Sequence, residues 1–598
     1  MSDCVQIRLE RLANIRQQMQ IHEIDALIIP SADPHMSEYL PLYWQGRAWL
    51  SGFTGSVGTL VLMQDFAGLW TDSRYWVQAP VQLDGTGIQL QKMGQGNPTF
   101  GQFLAQRLSN GARVAIDGAV LSVAQFDDLK KVFGEKDIRL TTKIDLLKTV
   151  WTQRPSLPTK TIYPHPSAFI DISAKDKLTQ VRQAMGELGA DAHLISSLDD
   201  IAWLTNLRGA DVPFNPVFLA HLLITANEAT LFVHGDKLND EAKTSLTNAG
   251  IVVAEYDAVA EHLGGILGSL LIDPAKVAVA TLKNLADDIR VVHAVNPSTI
   301  LKAVKTDKEL EHIREAMRQD GAALCEFFSE FERCVSTGKM LNEVDINTML
   351  NDARSRQPNH VSASFDTIAG FRANGAIVHY QAQSETCATL QGDGLLLIDS
   401  GAQYYNGTTD ITRMASVGHV SDEQKQDVTY VLKAHIALAT ATYPVGIPSA
   451  HLDTLARNQL WQQGLDYGHG TGHGVGYFLN VHEGPQVISV HAPTTKERTM
   501  QYGMITSNEP GLYREGSWGI RLENLVATVP ARQTEFGEFA CFETLTLCPF
   551  DTRLILPDLL TDQEKYWLNN YHQKVHDQLI DRVDGDAKSW LIERTRPI

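Results

Sequence analysis

Cysteine is scarce: Cys4, Cys325, Cys334, Cys387, Cys541 and Cys548 are the only six in 598 residues, and no Cys-x-x-Cys pair occurs. That excludes a disulfide scaffold and removes the usual signatures of a zinc knuckle or a thioredoxin-type site. Basic charge is short as well, with 51 Lys plus Arg against 70 Asp plus Glu and a formal net charge of −19. Nucleic acids and anionic membranes are bound by basic surfaces, and no basic patch interrupts the acidic balance, so neither is expected as a partner. No apolar run approaches the roughly 20 residues that span a bilayer; Val217 to Ala226 comes nearest and is interrupted by His221. The first residues, Met1-Ser2-Asp3-Cys4-Val5-Gln6, lack the basic and apolar segments of a signal peptide, and a reducing cytoplasm is the expected compartment. Asn406-Gly407-Thr408 matches a glycosylation acceptor but reads as a turn without a secretory route. Neither Gly-x-Ser-x-Gly nor His-Glu-x-x-His occurs, which takes the main support from serine-hydrolase and zincin readings.

What remains is the profile of a folded globular chain, 43% apolar and 20% charged. Pro155, Pro158, Pro164 and Pro166 mark one boundary. A second lies near Asn296-Pro297-Ser298, after which Thr306-Asp307-Lys308-Glu309 forms a capping box and Leu310, Ile313, Ala316 and Ala323 follow at helical spacing. The stretch before that boundary repeats itself. Ile15-Arg16-Gln17-Gln18-Met19 pairs with Val181-Arg182-Gln183-Ala184-Met185, and Ile24-Asp25-Ala26-Leu27-Ile28-Ile29 with Ala190-Asp191-Ala192-His193-Leu194-Ile195. Trp49-Leu50-Ser51-Gly52 echoes Trp203-Leu204-Thr205-Asn206. The pattern is helix, buried strand, irregular aromatic segment, more strands: α/β alternation, duplicated. The last part mixes helices (421–440, 449–463 and 562–579) with strands over 394–399 and 519–526.

Chemistry concentrates in that last part. Asp399 closes the apolar run Leu395-Leu396-Leu397-Ile398, where a carboxylate is costly unless paired or metal-bound. Asp410 follows a reversal at Tyr404 to Gly407, which sets the two carboxylates on neighbouring strands. Glu509 lies in Ser507-Asn508-Glu509-Pro510-Gly511. Glu523 follows Arg521 by two residues, so on a strand both share a face. The tract Gly468-His469-Gly470-Thr471-Gly472-His473-Gly474 supplies imidazoles between glycines that let the backbone approach closely. Four carboxylates balance two divalent cations, and one imidazole completes an oxygen-rich set suited to Mn²⁺, Co²⁺ or Zn²⁺. Two such ions about 3.5–4 Å apart share a water and bring its pKa towards neutrality, which points to metal-assisted hydrolysis.

With Asp399, Asp410, His473, Glu509 and Glu523 in place, the chain closely resembles the pita-bread metallopeptidases. Tyr467 to Gly474 and Val481-His482-Glu483-Gly484-Pro485 are similar to Xaa-Pro aminopeptidase (aminopeptidase P), and Trp567-Leu568-Asn569-Asn570-Tyr571-His572 to its long three-domain cytosolic form. The resemblance implies an α/β (α+β) architecture: two creatinase-like α/β domains, 1–155 and 156–305, then a pita-bread catalytic domain with a helical tail, 306–598. It implies a hydrolase that removes the residue before a proline at the second position of a peptide, with two divalent ions, Mn²⁺ ahead of Co²⁺ and Zn²⁺. Asp399 would bind one ion, Asp410 and Glu523 would bridge both, and His473 and Glu509 would complete the other. His379 and His482 match the family's substrate-binding and proton-handling histidines, His469 a further pocket position, and Arg521 the arginine that braces Glu523; His379, His469, His482, Arg521 and Glu509 are the expected catalytic set. A homodimer is implied by the family alone. A prolidase, which shares the ligands and demands a dipeptide, is the alternative enzyme. A catalytically inactive pita-bread scaffold and a metal-free creatinase fit less well, since all five ligand positions are filled.

Overall fold

The internal echo in the sequence is a duplicated sheet. In the computed structural model, which describes residues 2–94 and 96–598, the first sheet comprises β1 (Ala26–Pro30), β2 (Thr59–Met63), β3 (Ala67–Thr71), β4 (Gln89–Lys92), β5 (Arg113–Ala115) and β6 (Arg139–Thr141). Their order is β4-β3-β2-β1-β5-β6. The second sheet, β7 (Ala192–Ile195), β8 (His221–Thr225), β9 (Ala229–Phe232), β10 (Ile251–Ala254), β11 (Ser269–Ile272) and β12 (Arg290–His293), runs β10-β9-β8-β7-β11-β12, the same order displaced by one copy. Strand senses match too: β1–β2 and β2–β3 are antiparallel while β1–β5, β3–β4 and β5–β6 are parallel, and each counterpart agrees. Chance resemblance between helix–strand units would not reproduce both.

The repeated side chains do the same work in each copy. Ile15 and Met19 on α1 (Ser2–Ile21) and Val181 and Met185 on α2 (Ala174–Glu187) are all buried beneath their sheets. The third echo is a helix terminus. Helices Gly46–Ser51 and Leu198–Thr205 each end on a left-handed residue, Gly52 (φ 76°) and Asn206 (φ 55°), the two residue types that tolerate that conformation best. The apolar run around His221 is strand β8, and no helix among the described residues is long and apolar enough to cross a membrane.

By contact density the chain forms two units, Met1–His165 with Ile172–Ser298, and Pro166–Asp171 with Thr299–Ile598. The proline-rich stretch is more than a spacer: Tyr163–Pro164 pairs with Leu207–Arg208, and Ile162 is buried.

The second unit opens with α3 (Asp307–Ser336), whose Thr306 and Glu309 form the expected capping box. Such a cap contributes about 1 kcal/mol. Leu310, Ile313, Met317, Leu324, Phe328 and Phe331 line its buried face, each stabilising by roughly 1.5–3 kcal/mol. Then come α4 (Glu343–Ser355), a three-stranded antiparallel sheet of β13 (Ile368–Phe371), β14 (Gly394–Ser400) and β15 (Ile411–Val417), and helices α5 (Asp422–Ala439) and α6 (Ala450–Trp461). The larger sheet runs β16 (Thr442–Pro444), β23 (Gly537–Thr544), β22 (Asn524–Thr534), β19 (Ile505–Asn508), β17 (Gly472–Gly474), β18 (Glu483–Ile488), with a separate ribbon of β20 (Gly511–Arg514) and β21 (Trp518–Arg521). Helices α7 (Asp562–Leu579) and α8 (Gly585–Arg594) close the chain.

One expectation changes. Residues 519–526 are not one strand: β21 ends at Arg521 and β22 begins at Asn524. The backbone changes partners there, because Arg521 pairs with Gly511, Glu523 N–H donates to Thr412 O (3.2 Å), and Asn524 pairs with Asn508. Asn406, by contrast, does sit in a tight reversal, but it is buried and donates through Nδ2 to His312 O (3.1 Å) and Gln319 Oε1 (3.2 Å), which closes it to a glycan.

Candidate metal centre

The break between β21 and β22 and the facing break between β19 and β20 create the centre of the site. Glu509 follows β19 and Glu523 precedes β22, so both carboxylates leave the backbone where two sheets exchange strands. Asp399 lies near the end of β14, opposite Thr412, and Asp410 stands just before β15. His473 is the middle residue of β17, whose flanking glycines are required: a Cβ on Gly472 would collide with Ser507 O, and one on Gly474 with Glu483 O.

Donor atoms of Asp410, His473 and Glu523 lie within 4.8 Å of one another. His473 Nε2 stands 3.5 Å from Asp410 Oδ2 and 3.4 Å from Glu509 Oε1. Its Nδ1 is 2.9 Å from Gly474 O, so an Nδ1–H donates there and leaves the Nε2 lone pair facing the carboxylates. Asp399 takes an ion pair from Arg521 Nη2 (2.6 Å), yet its buried Oδ1 has no hydrogen-bond partner.

The electrostatics show a cluster short of positive charge. Burial pushes Asp399 up to about 7, with Arg521 opposing and Asp410 and Glu509 adding to the shift. Burial and then Asp410, Glu509 and Asp399 hold Glu523 well above the carboxylate range. Burial would lower His473, but Asp410 and Glu509 outweigh it and raise the imidazole to about 9. Four carboxylates this close must gather protons or cations. The orphaned Asp399 oxygen, the presented Nε2 and the oxygen-rich donor set all fit divalent metal.

Of the remaining expected residues, His482, His469 and Arg521 adjoin this cluster directly or through hydrogen-bonded partners. The His482 ring packs edge-on against His473 at 4.3 Å between centroids, and Glu483 beside it is held in the interior by Lys305 and Lys302. His379 follows the short helical turn Arg372–Ala376 and is half-buried. His469 Nε2 meets Tyr513 OH (2.8 Å), and Tyr513 OH accepts from Arg521 Nη1 (2.7 Å). Arg521 was expected to brace Glu523; it donates to Asp399 and to Thr412 Oγ1 (3.2 Å), and Thr412 in turn donates to Glu523 Oε2 (2.8 Å). Tyr513 and Thr412 carried no signal in the sequence, since a tyrosine after Gly-Leu and a threonine within a strand are common.

Comparison with known proteins identifies the family. The sequence profile of metallopeptidase family M24 matches residues 311–530, its C-terminal region 538–598, and the creatinase/prolidase N-terminal domain 11–150 and again 153–309. Aminopeptidase P2 of Arabidopsis thaliana is 39% identical, covering 98% of this chain and 88% of that protein. The chain belongs to the aminopeptidase P family. A probable Xaa-Pro aminopeptidase P of Laccaria bicolor is 38% identical over 98% of this chain and 93% of its own. Among solved structures, X-prolyl aminopeptidase from Caenorhabditis elegans, described as a cytosolic enzyme with a di-nuclear active site, superposes with a TM-score of 0.93 at 31% identity, covering 99% of this chain and 100% of that one. The fold is that of the aminopeptidase P family: two creatinase-like α/β domains followed by a pita-bread metallopeptidase domain.

Proposed function

We propose that this chain is a two-metal Xaa-Pro aminopeptidase that releases the first residue of peptides whose second residue is proline. The observation that carries the reading is the convergence of Asp399, Asp410, His473, Glu509 and Glu523 at a strand exchange, with a buried Asp399 oxygen left without a partner. In this reading Asp399, Asp410, His473, Glu509 and Glu523 would together hold the two ions. Mn²⁺ is the proposed metal, with Co²⁺ and Zn²⁺ able to use the same donors. When bound, the pair supplies ionisation of water at neutral pH and polarisation of the scissile carbonyl.

The chain's own residues do the rest. Hydrolysis adds a water oxygen to the carbonyl carbon, breaks the C–N bond, and leaves a proline nitrogen that needs a proton. A ring nitrogen of His482 or His379 delivers it, since imidazole exchanges protons near pH 7. Arg521 fixes the Asp399 carboxylate, and Tyr513 OH links that guanidinium to His469 Nε2, so the far wall is held as one hydrogen-bonded chain. We also assign the enzyme to the cytoplasm, as a homodimer, with domain boundaries near 155 and 305.

The test compares Arg-Pro-Pro, Arg-Ala-Ala and an Xaa-Pro dipeptide in Mn²⁺. Release of Arg from Arg-Pro-Pro alone is expected. Exclusive cleavage of the dipeptide would replace this reading with a prolidase.

A further inference from the structure

Outside the metal cluster, the buried carboxylate of Glu343 is held without a salt bridge. Glu343, the first residue of α4, is fully buried, and every group that reaches it is neutral. Its Oε1 accepts from Phe371 N–H (2.7 Å) and Asn374 Nδ2 (2.9 Å). Its Oε2 accepts from Tyr380 OH (2.8 Å) and Ala388 N–H (2.7 Å), and Glu343 N–H donates back to Ala388 O (3.2 Å). The helix N-terminus adds a favourable field.

These donors come from both ends and the middle of one segment, 371–388, which carries His379. A buried charge is seldom the most stable filling for such a site, because a well-packed apolar residue avoids the desolvation cost. What the carboxylate supplies is geometry: one anion ties four points of a loop that has little regular structure of its own. Tyr380 is the neighbour of His379 in sequence, so the tie fixes the backbone next to the imidazole.

We infer that Glu343 is a positioning residue for His379, acting through the loop and not on substrate. The inference rests on His379 taking part in the reaction, as proposed above. Displacing a catalytic group by about 1 Å lowers rate on the order of 10²-fold. In Glu343→Gln the amide turns an N–H towards either Phe371 N–H or Ala388 N–H, and one tie is lost.

The experiment is a double-mutant cycle in the metal-loaded full chain, with Arg-Pro-Pro as substrate and hydrogen exchange read in parallel. Glu343→Gln should lower kcat/KM by about 10–100-fold, leave bound metal unchanged, and speed exchange within 372–387. Because the effect passes through His379, the variant carrying both Glu343→Gln and His379→Ala should be no slower than His379→Ala alone. Tyr380→Phe removes one tie and keeps the charge; it should give a smaller loss of the same kind, and serves if Glu343→Gln fails to fold. Losses that multiply in the double variant, or exchange that stays unchanged over 372–387, would overturn the proposal. A silent His379→Ala would also overturn it, and accelerated exchange in Glu343→Gln would then locate the fault in the role given to His379.

Discussion

Replacing Arg354 by Met should destabilise the catalytic unit by several kcal/mol. Arg354 on α4 grips Asp320 on α3 through Nε–Oδ1 (2.8 Å) and Nη2–Oδ2 (3.1 Å), and the two side chains are only 1% and 3% exposed. Removing the guanidinium leaves a buried carboxylate with Tyr404 OH (3.0 Å) as its remaining donor, a situation that costs about 3–5 kcal/mol. At about 2–4 °C per kcal/mol, the calorimetric transition of that unit should fall by roughly 6–20 °C. The effect reaches the site, because Tyr404 lies in the reversal leading to Asp410, and Asp410 is among the charges that raise Arg354. Combining Arg354→Met with Asp320→Leu should recover most of the loss, leaving about 1 kcal/mol for the stranded Tyr404 hydroxyl. If Arg354→Met alone costs under about 1 kcal/mol, or if the double variant is no better than the single, the buried-charge argument is wrong.

Other expectations follow from the same geometry. His473→Ala should lower metal content, read by elemental analysis after dialysis, whereas His482→Ala should keep the metal and lower kcat; equal metal loss in both would contradict the roles given to them. Tyr513→Phe cuts the link between His469 and Arg521, and should reduce kcat/KM about tenfold, the weight of one hydrogen bond to a charged group, with metal content unchanged. His193, His435 and His572 are pushed by burial down to about 4, 3 and 4. The unfolded chain binds these protons near pH 6.5 and the folded chain does not, so stability should fall as pH drops from about 6.5 towards 4, by at most about 3–5 kcal/mol for each histidine. A urea midpoint that stays level over that range would rule this out.

Local rules reached far into this chain. The capping box at Thr306 and Glu309, the helix over 562–579 and the buried strand ending at Asp399 each depend on neighbours a few residues apart, so spacing and residue type suffice to read them. The duplicated sheet was visible because both copies keep the same apolar positions, such as Ile15 with Val181 and Met19 with Met185. The candidate site was legible through recognisable residues in recognisable contexts, chiefly the histidine tract and Asp399.

Local order alone determined most of the helices and strands and which charged side chains would have no apolar reason to be there. Tertiary structure decided how those charges meet. The interruption at Leu522 and Glu523 exists because Thr412, distant in the chain, takes the Glu523 N–H between the pairing of Arg521 with Gly511 and that of Asn524 with Asn508. The same holds for Arg521 choosing Asp399, for Tyr513 bridging to His469, and for Glu343 gathering a loop around itself. A hydrogen bond between residues far apart in the sequence leaves no periodicity behind, because its energy depends on a distance that exists only after the chain has folded.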